Sequence, residues 1–254
     1  MTRKEIDGSV AERRRLEPPP AHHSHPRTMG VHRFHWSWQR TWERALVTSN
    51  EVPWFSSHGR TWDVLVVGGA SGVGKSTTAY RLAHELGVGI CEVDDLHQAV
   101  LTMTTPDQQP VLHRWHTSPE AMAMSPTDIV DLHIAVCRTL IPAVRDVIAQ
   151  HVEDGRPIVL EGDYLVPELL DARHGWTAKD LERVRAVFLH EPDTSQVARN
   201  LLDREPEQGD QTGRASVTQL FGTWLRDECS GRAAVSLEVR PYATVSERLL
   251  AAIR

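Results

Sequence analysis

The sequence predicts an α/β fold in which a mostly parallel sheet lies between layers of helices, and three observations carry that prediction. From Asp63 onward, short apolar runs alternate with segments of helical period, the pattern of strands joined by crossover helices. The runs at 64–67, 157–160 and 184–189 are almost wholly apolar instead of alternating, as strands covered on both faces must be. The first run opens directly into a glycine-rich turn and then a helix.

Taken in order, the first strand is 64–67, and the helix after the turn, 77–86, stops at Gly87. Residues 89–93 read as a short strand ending in Asp94-Asp95, followed by a helix over 96–103 and a polar, proline-containing stretch over 104–123. Ser125-Pro126-Thr127-Asp128 is a capping box with proline at the first helical position; its serine and aspartate satisfy backbone N–H groups that the helix itself cannot. It opens the longest amphipathic helix, with the apolar stripe Ile129, Leu132, Val136, Leu140, Val144, Val147 and Ile148, a kink expected at Pro142 and an end at Gly155. The strand 157–160 then runs into Glu161-Gly162-Asp163. A strand over 184–189, helices over 194–203 and 217–228, a strand over 234–239 and a terminal helix from Thr244 complete the chain.

At 254 residues, with 40% apolar and 24% charged content, the chain suits one α/β domain plus an appendage. No apolar run approaches the ~20 residues of a membrane span, and the start lacks a secretory signal, so a cytoplasmic protein without a membrane partner is expected. Cys91, Cys137 and Cys229 are too few and too scattered for a disulfide framework or a thiolate metal site.

Residues 1–60 differ in kind. They hold ten Lys/Arg against six Asp/Glu, a net of +4, which leaves eighteen against twenty-eight, a net of −10, for the remainder. The acidic body argues against nucleic acid as the principal partner. Six of the fourteen histidines and four of the eight tryptophans also fall in this stretch. It is therefore expected to be a disordered or partly ordered Trp/His-rich extension, with 1–30 disordered and 34–42 a short helix docking on the main domain or on a partner chain. Met29 is an alternative start, and a homodimer is left open.

Residues 69–76, Gly-Ala-Ser-Gly-Val-Gly-Lys-Ser, fit the G-x-x-x-x-G-K-[ST] spacing of a phosphate-binding P-loop between a strand and a helix. The glycines let the backbone curl so that N–H groups point at phosphate oxygens, and the positive end of the helix adds to the attraction. The nucleotide-binding set is Gly69, Ala70, Ser71, Gly72, Val73, Gly74, Lys75, Ser76 and Thr77. Lys75 would reach the β- and γ-phosphates of ATP, and the Ser76 hydroxyl would complete a Mg2+ shell.

In open parallel sheets, ligands sit beyond the carboxyl ends of the strands. Asp94 and Asp95, at such an end, are the candidates to accept a proton from a substrate hydroxyl, Asp94 ahead as the nearer to the strand; one of them could instead cap the following helix. Glu161 is the expected magnesium-orienting carboxylate, with Asp163 as backup and substrate contact. Arg199, Arg204 and Arg214 flank a glycine-containing connection of the kind mobile lids use, Arg204 being the catalytic candidate. Arg114, between His113 and His116 in the polar stretch, is the candidate clamp for a substrate carboxylate or phosphate. Trp115, Trp176 and Trp224 read as core or interface rings.

With these motifs in place, the chain resembles the small-molecule kinases of the P-loop class and is similar in particular to the 2-phosphoglycerate kinase family. The carrying residues are Gly68 to Ser76, matching a Gly-Gly-x-Ser-Gly-x-Gly-Lys-Ser loop, and Glu161-Gly162 followed by Leu165-Val166-Pro167, matching an apolar strand that ends in Glu-Gly and continues x-x-Leu-x-Pro. The match runs in order from about Asp63 to the C-terminus. Tyr164 stands where the family usually has His, Asp163 where an apolar residue is usual, and 101–124 does not look like the family. The resemblance implies a P-loop NTPase three-layer sandwich over 61–254 and an ATP- and magnesium-dependent phosphotransferase acting on a small hydroxyl- or phosphate-bearing metabolite. The alternative is an ATPase or nucleotide-dependent switch whose output is partner binding.

Overall fold

The computed structural model describes residues 60–118, 120 and 123–254. The expected N-terminal extension, 1–60, lies outside the described residues except for Arg60. Among the described residues, five parallel strands form one sheet in the order β2-β3-β1-β4-β5. β1 (Val64–Gly69) is central, between β3 (Ile158–Gly162) and β4 (Val184–His190), while β2 (Gly89–Glu92) and β5 (Val235–Glu238) form the edges. β1 and β3 are buried along their whole lengths, which explains their unbroken apolar runs: helices cover both faces.

The register places Val67 beside Glu161 and Gly68 beside Gly162, so the phosphate loop and the Glu161 carboxylate leave the sheet at the same edge. At the opposite edge the buried Asp63 carboxylate receives Arg183 Nε at 2.7 Å and a second guanidinium nitrogen at 2.6 Å, fixing the starts of β1 and β4 to one another.

The helices are α1 (Lys75–Leu86), α2 (Val93–Met103), α3 (Pro110–Thr117), α4 (Pro126–Asp154), α5 (Ala178–Glu182), α6 (Thr194–Arg204), α7 (Thr212–Cys229) and α8 (Val245–Ala252). The Ser125 capping box forms as the sequence indicates: Asp128 N–H donates to Ser125 Oγ at 3.2 Å and Ser125 N–H to Asp128 Oδ2 at 3.3 Å. α4 continues through Pro142 as one helix to a left-handed Gly155, and it packs against α7, which also covers β4.

Three boundaries differ from expectation. The chain turns into α2 at Val93, so Asp94 and Asp95 belong to its first helical turn and do not close a strand. Val93 is fully buried and so close to Gly162 that a Cβ there would lie 3.0 Å from Val93 Cβ; this packing, invisible to periodicity, sets the turn. The polar stretch contains α3, started by Pro110 at its first turn. α7 begins at Thr212, five residues before expected, where Asp210 accepts both the Thr212 N–H at 3.0 Å and its hydroxyl at 2.6 Å. The short α5 has its own capping box, Thr177 with Asp180, spelled in the sequence as Thr-x-x-Asp.

Candidate functional site

The loop between β1 and α1 is built by three left-handed glycines, Gly69 (φ 144°), Gly72 (φ 80°) and Gly74 (φ 87°). No side chain caps α1, so the N–H groups of its first turn are left without a side-chain partner, the condition under which a helix start binds an anion. Ala70 and Val73 are buried and anchor the loop in the core. Its carbonyls are held from outside: Asn200 donates to Gly72 O at 2.9 Å and Thr218 to Ser71 O at 3.0 Å. Beside the loop lies a cavity of about 560 Å³ whose walls include Gly72, Gly74, Lys75, Ser76, Thr77, Arg81, Asn200, Arg204, Tyr242 and Ser246. Ser246 Oγ is buried there without a hydrogen-bond partner.

At the floor is a charge cluster. Lys75, only 6% exposed, forms an ion pair with Asp163 and lies 3.8 Å from Glu161. Ser76 Oγ donates to Glu161 Oε1 at 2.8 Å. Burial raises the Glu161 carboxyl above its ordinary value, opposed by the Lys75 charge and the Ser76 hydrogen bond. Asp94 is pushed up to about 6, first by burial and then by the neighbouring Asp163 charge, with Lys75 pulling the other way. Ser76 and Glu161 offer oxygen donors only, the set that suits magnesium, which takes one or two protein ligands and completes its shell with phosphates and water. Among the described residues no group of three His, Cys, Asp or Glu side chains would hold a different ion.

A second cavity, about 500 Å³, opens between α2, α3 and α4, walled by Asp94, His97, Gln98, Leu112, Trp115, His116, Ile129, Leu132, His133, Val136 and Tyr164. The Tyr164 ring stacks on His97 with centroids 4.2 Å apart, and His133 Nε2 lies 3.1 Å from the Asp163 carbonyl oxygen. Burial holds His97 and His133 below the usual imidazole value, and burial likewise raises the Tyr164 phenol, so in all three rings burial favours the uncharged form. Lys75 in the first cavity and Asp94 in the second act on one another electrostatically beside Asp163.

No protein-family model matches the chain. It is 29% identical over 121 residues to the 2-phosphoglycerate kinase of Methanococcus vannielii, covering 44% of this chain and 38% of that protein. With the 2-phosphoglycerate kinase of Methanocaldococcus jannaschii the identity is 28% over 148 residues, 56% of this chain and 45% of that one. The similarity to 2-phosphoglycerate kinases read from the sequence is borne out. The chain spans less than half the length of these relatives. Among solved structures it is similar to a gluconokinase from Sinorhizobium meliloti 1021, with 21% identity, 76% of this chain and 91% of that chain covered, and a TM-score of 0.40.

The site residues expected from the sequence divide into those brought together and those left out. Gly72, Gly74, Lys75, Ser76 and Thr77 line the first cavity, while Gly69, Ala70 and Val73 shape the loop from beneath. Asp94 faces the second cavity; Asp95 is exposed and outside its walls. Arg204 lines the first cavity and donates to Ser71 Oγ at 3.3 Å, but Glu205 engages both it and Arg214 at 2.6 Å. Arg199 bonds Gln196 on its own helix. Arg114 is exposed on α3 and absent from the cavity wall, which takes its neighbours Trp115 and His116 instead.

Trp176 is a core ring, its indole N–H donating to Leu169 O at 2.7 Å, and Trp224 stacks on Phe221. Trp115, read as a core or interface ring, lies outside the core: it is 43% exposed and lines the second cavity. Sequence reasoning missed His97, His133, Tyr164, Asn200 and Tyr242. His97 had a signal, since it lies three residues after Asp94 and so on the same helix face. Tyr164 had one too, adjoining Asp163 at a position where the resembled family usually has His, whereas His133, Asn200 and Tyr242 come from distant segments and had none.

Proposed function

We propose that this chain is an ATP-dependent phosphotransferase that uses magnesium and phosphorylates a hydroxyl group of a small acceptor. The observation that carries the reading is the Lys75–Asp163–Glu161–Ser76 cluster, set between a phosphate-type loop and a second cavity whose wall presents Asp94. The 2-phosphoglycerate kinase name of the curated relatives supports the same class.

In this reading the N–H groups of the loop and of the first turn of α1 hold the polyphosphate, and Lys75 exchanges Asp163 for a phosphate oxygen. Ser76 and Glu161 are the residues that would hold magnesium, which when bound neutralises charge on the phosphates. Asp94 takes the acceptor's proton, and its raised affinity for that proton near neutrality fits the role. Arg204 supplies a further positive charge at the cavity wall. Ser246, with its unpaired hydroxyl, is available to the nucleoside. A cytoplasmic setting suits the free Cys91, Cys137 and Cys229, and no helix among the described residues is long and apolar enough to cross a membrane.

The test is ADP release by the full chain with magnesium-ATP across a metabolite panel. Acceptor-dependent ADP formation, abolished by Lys75→Ala, is expected. ADP release indifferent to every acceptor would point to an ATPase, and no turnover at all would defeat the reading.

A further inference from the structure

The relatives' name points to an acidic, phosphorylated acceptor, and the second cavity is built for something else. Among the described residues, no Lys or Arg lines it. Arg114 is exposed on α3 and outside the wall, and Arg138 on α4 is bonded through Nε and a terminal nitrogen to Glu168 at 2.8 and 2.6 Å. Lys75, in the neighbouring cavity, already faces Asp163 and Glu161. The fixed charge the wall does carry is the carboxylate Asp94. A phosphate or carboxylate entering here would give up water, find no fixed cation and meet a like charge, a combination that costs far more than an apolar contact returns.

The rest of the wall states what is welcome. Trp115 is an exposed indole at the cavity, Tyr164 is a ring braced by His97, and Leu112, Ile129 and Leu132 add aliphatic surface. A volume of about 500 Å³ lies within the range of about 300–1,000 Å³ typical of pockets for organic ligands. Large rings left at a cavity surface bind apolar bodies with little loss of side-chain freedom.

We infer that the acceptor is an uncharged alcohol with an aromatic or branched apolar body, held against Trp115 and Tyr164 with its hydroxyl toward Asp94. The inference deepens the kinase reading and rests on it for the transfer step. In that step the acceptor hydroxyl oxygen bonds to the γ-phosphorus of ATP as the bond from that phosphorus to the β,γ-bridging oxygen breaks. ADP leaves with the electron pair of the broken bond, and the hydroxyl proton passes to the Asp94 carboxylate and on to solvent.

The test compares phenylethylene glycol with mandelate, the same ring and hydroxyl with a carboxylate replacing the terminal alcohol, and with 2-phosphoglycerate. Phosphoryl transfer from ATP and ligand binding by saturation-transfer NMR with magnesium and a non-hydrolysable ATP analogue are both read on the full chain. The glycol is expected to exceed both anions in kcat/KM by at least about tenfold, with His116→Arg narrowing the gap by adding a cation at the wall. Preference for mandelate or 2-phosphoglycerate overturns the inference and leaves the kinase reading standing. Binding of the glycol, lost in Trp115→Ala, without transfer to any acceptor upholds the acceptor class and counts against the kinase. Failure of the glycol to bind overturns the inference outright.

Discussion

The Ser76 hydroxyl donates to Glu161 Oε1 at 2.8 Å, joining the first turn of α1 to the end of β3 across 85 residues of sequence. In the proposed function this pair supplies the two oxygen atoms that would hold magnesium at the mouth of the phosphate loop. Glu161→Gln keeps an acceptor for Ser76 but removes the charge. It is expected to raise the magnesium concentration for half-maximal activity by about 10–100-fold, while metal-free ATP binding, followed by calorimetry, stays near the parent value. An unchanged magnesium requirement would remove Glu161 from the metal site.

Lys75→Ala should do two separable things. Turnover is expected to fall by at least about 10²-fold, the usual loss when one transition-state charge partner is removed. The same change leaves Asp163 and the buried Glu161 without their cation, so stability should drop by about 3 kcal/mol. Adding Asp163→Asn should recover part of the stability and none of the activity. Chemical denaturation beside ADP-release rates separates the two effects.

Asp94 gives the protein a pH signature. Its carboxyl, held up to about 6 by burial and by Asp163, Glu161 and Glu92 against the pull of Lys75, must be ionised to take a proton. The rate kcat/KM is therefore expected to rise with pH through about 6 and then level off. A profile flat from pH 5 to 8 would exclude Asp94 as the base.

The same group shapes stability with the opposite sign. The folded-state value near 6 lies above the ordinary 3.8, so the native state binds the proton more tightly than the unfolded chain. Its contribution is fully present below about 3.8 and is lost as pH rises through about 6. Asp94→Asn is expected to be inactive yet more stable than the parent at pH 8, by on the order of 2 kcal/mol, with the gap closing toward pH 4. Thermal melts across that range check the direction.

Gly69 is confined from both sides. Its φ of 144° is costly for a side chain, and a Cβ there would lie 2.5 Å from the Leu189 carbonyl oxygen on β4. Gly69→Ala should lower stability by about 3 kcal/mol and weaken nucleotide binding, because backbone must move. Gly87→Ala, at φ 61° with nothing within 4 Å, should cost only about 1 kcal/mol and leave binding intact. Equal losses in the two variants would show that strain alone decides.

Legibility in the sequence followed the range of the interaction. The phosphate loop, the apolar strands, the Ser125 box and the Glu161 strand end are each set by residues within a few positions of one another, and each stands where the sequence put it. The Asp94-Asp95 pair failed as a strand end because Val93 is apolar whether it closes a strand or starts a helix, and its packing under Gly162 decides. Which of Arg114 and Trp115 lines the cavity was open for a related reason. On a short helix, adjacent residues point in different directions, and which one reaches a cavity depends on where the helix sits.

What the sequence determined alone is the phosphate-type loop, since glycine placement, a lysine and a helix start are local chemistry that needs no distant partner. What the tertiary structure decided is the company that loop keeps. Lys75 faces Asp163, Asp94 faces an aromatic chamber, and Tyr164 lies on His97 because β1 and β3 end side by side and α2, α3 and α4 close around that edge. Those pairings join segments tens of residues apart, and they are fixed by the packing of the whole core, which no single stretch of chain encodes.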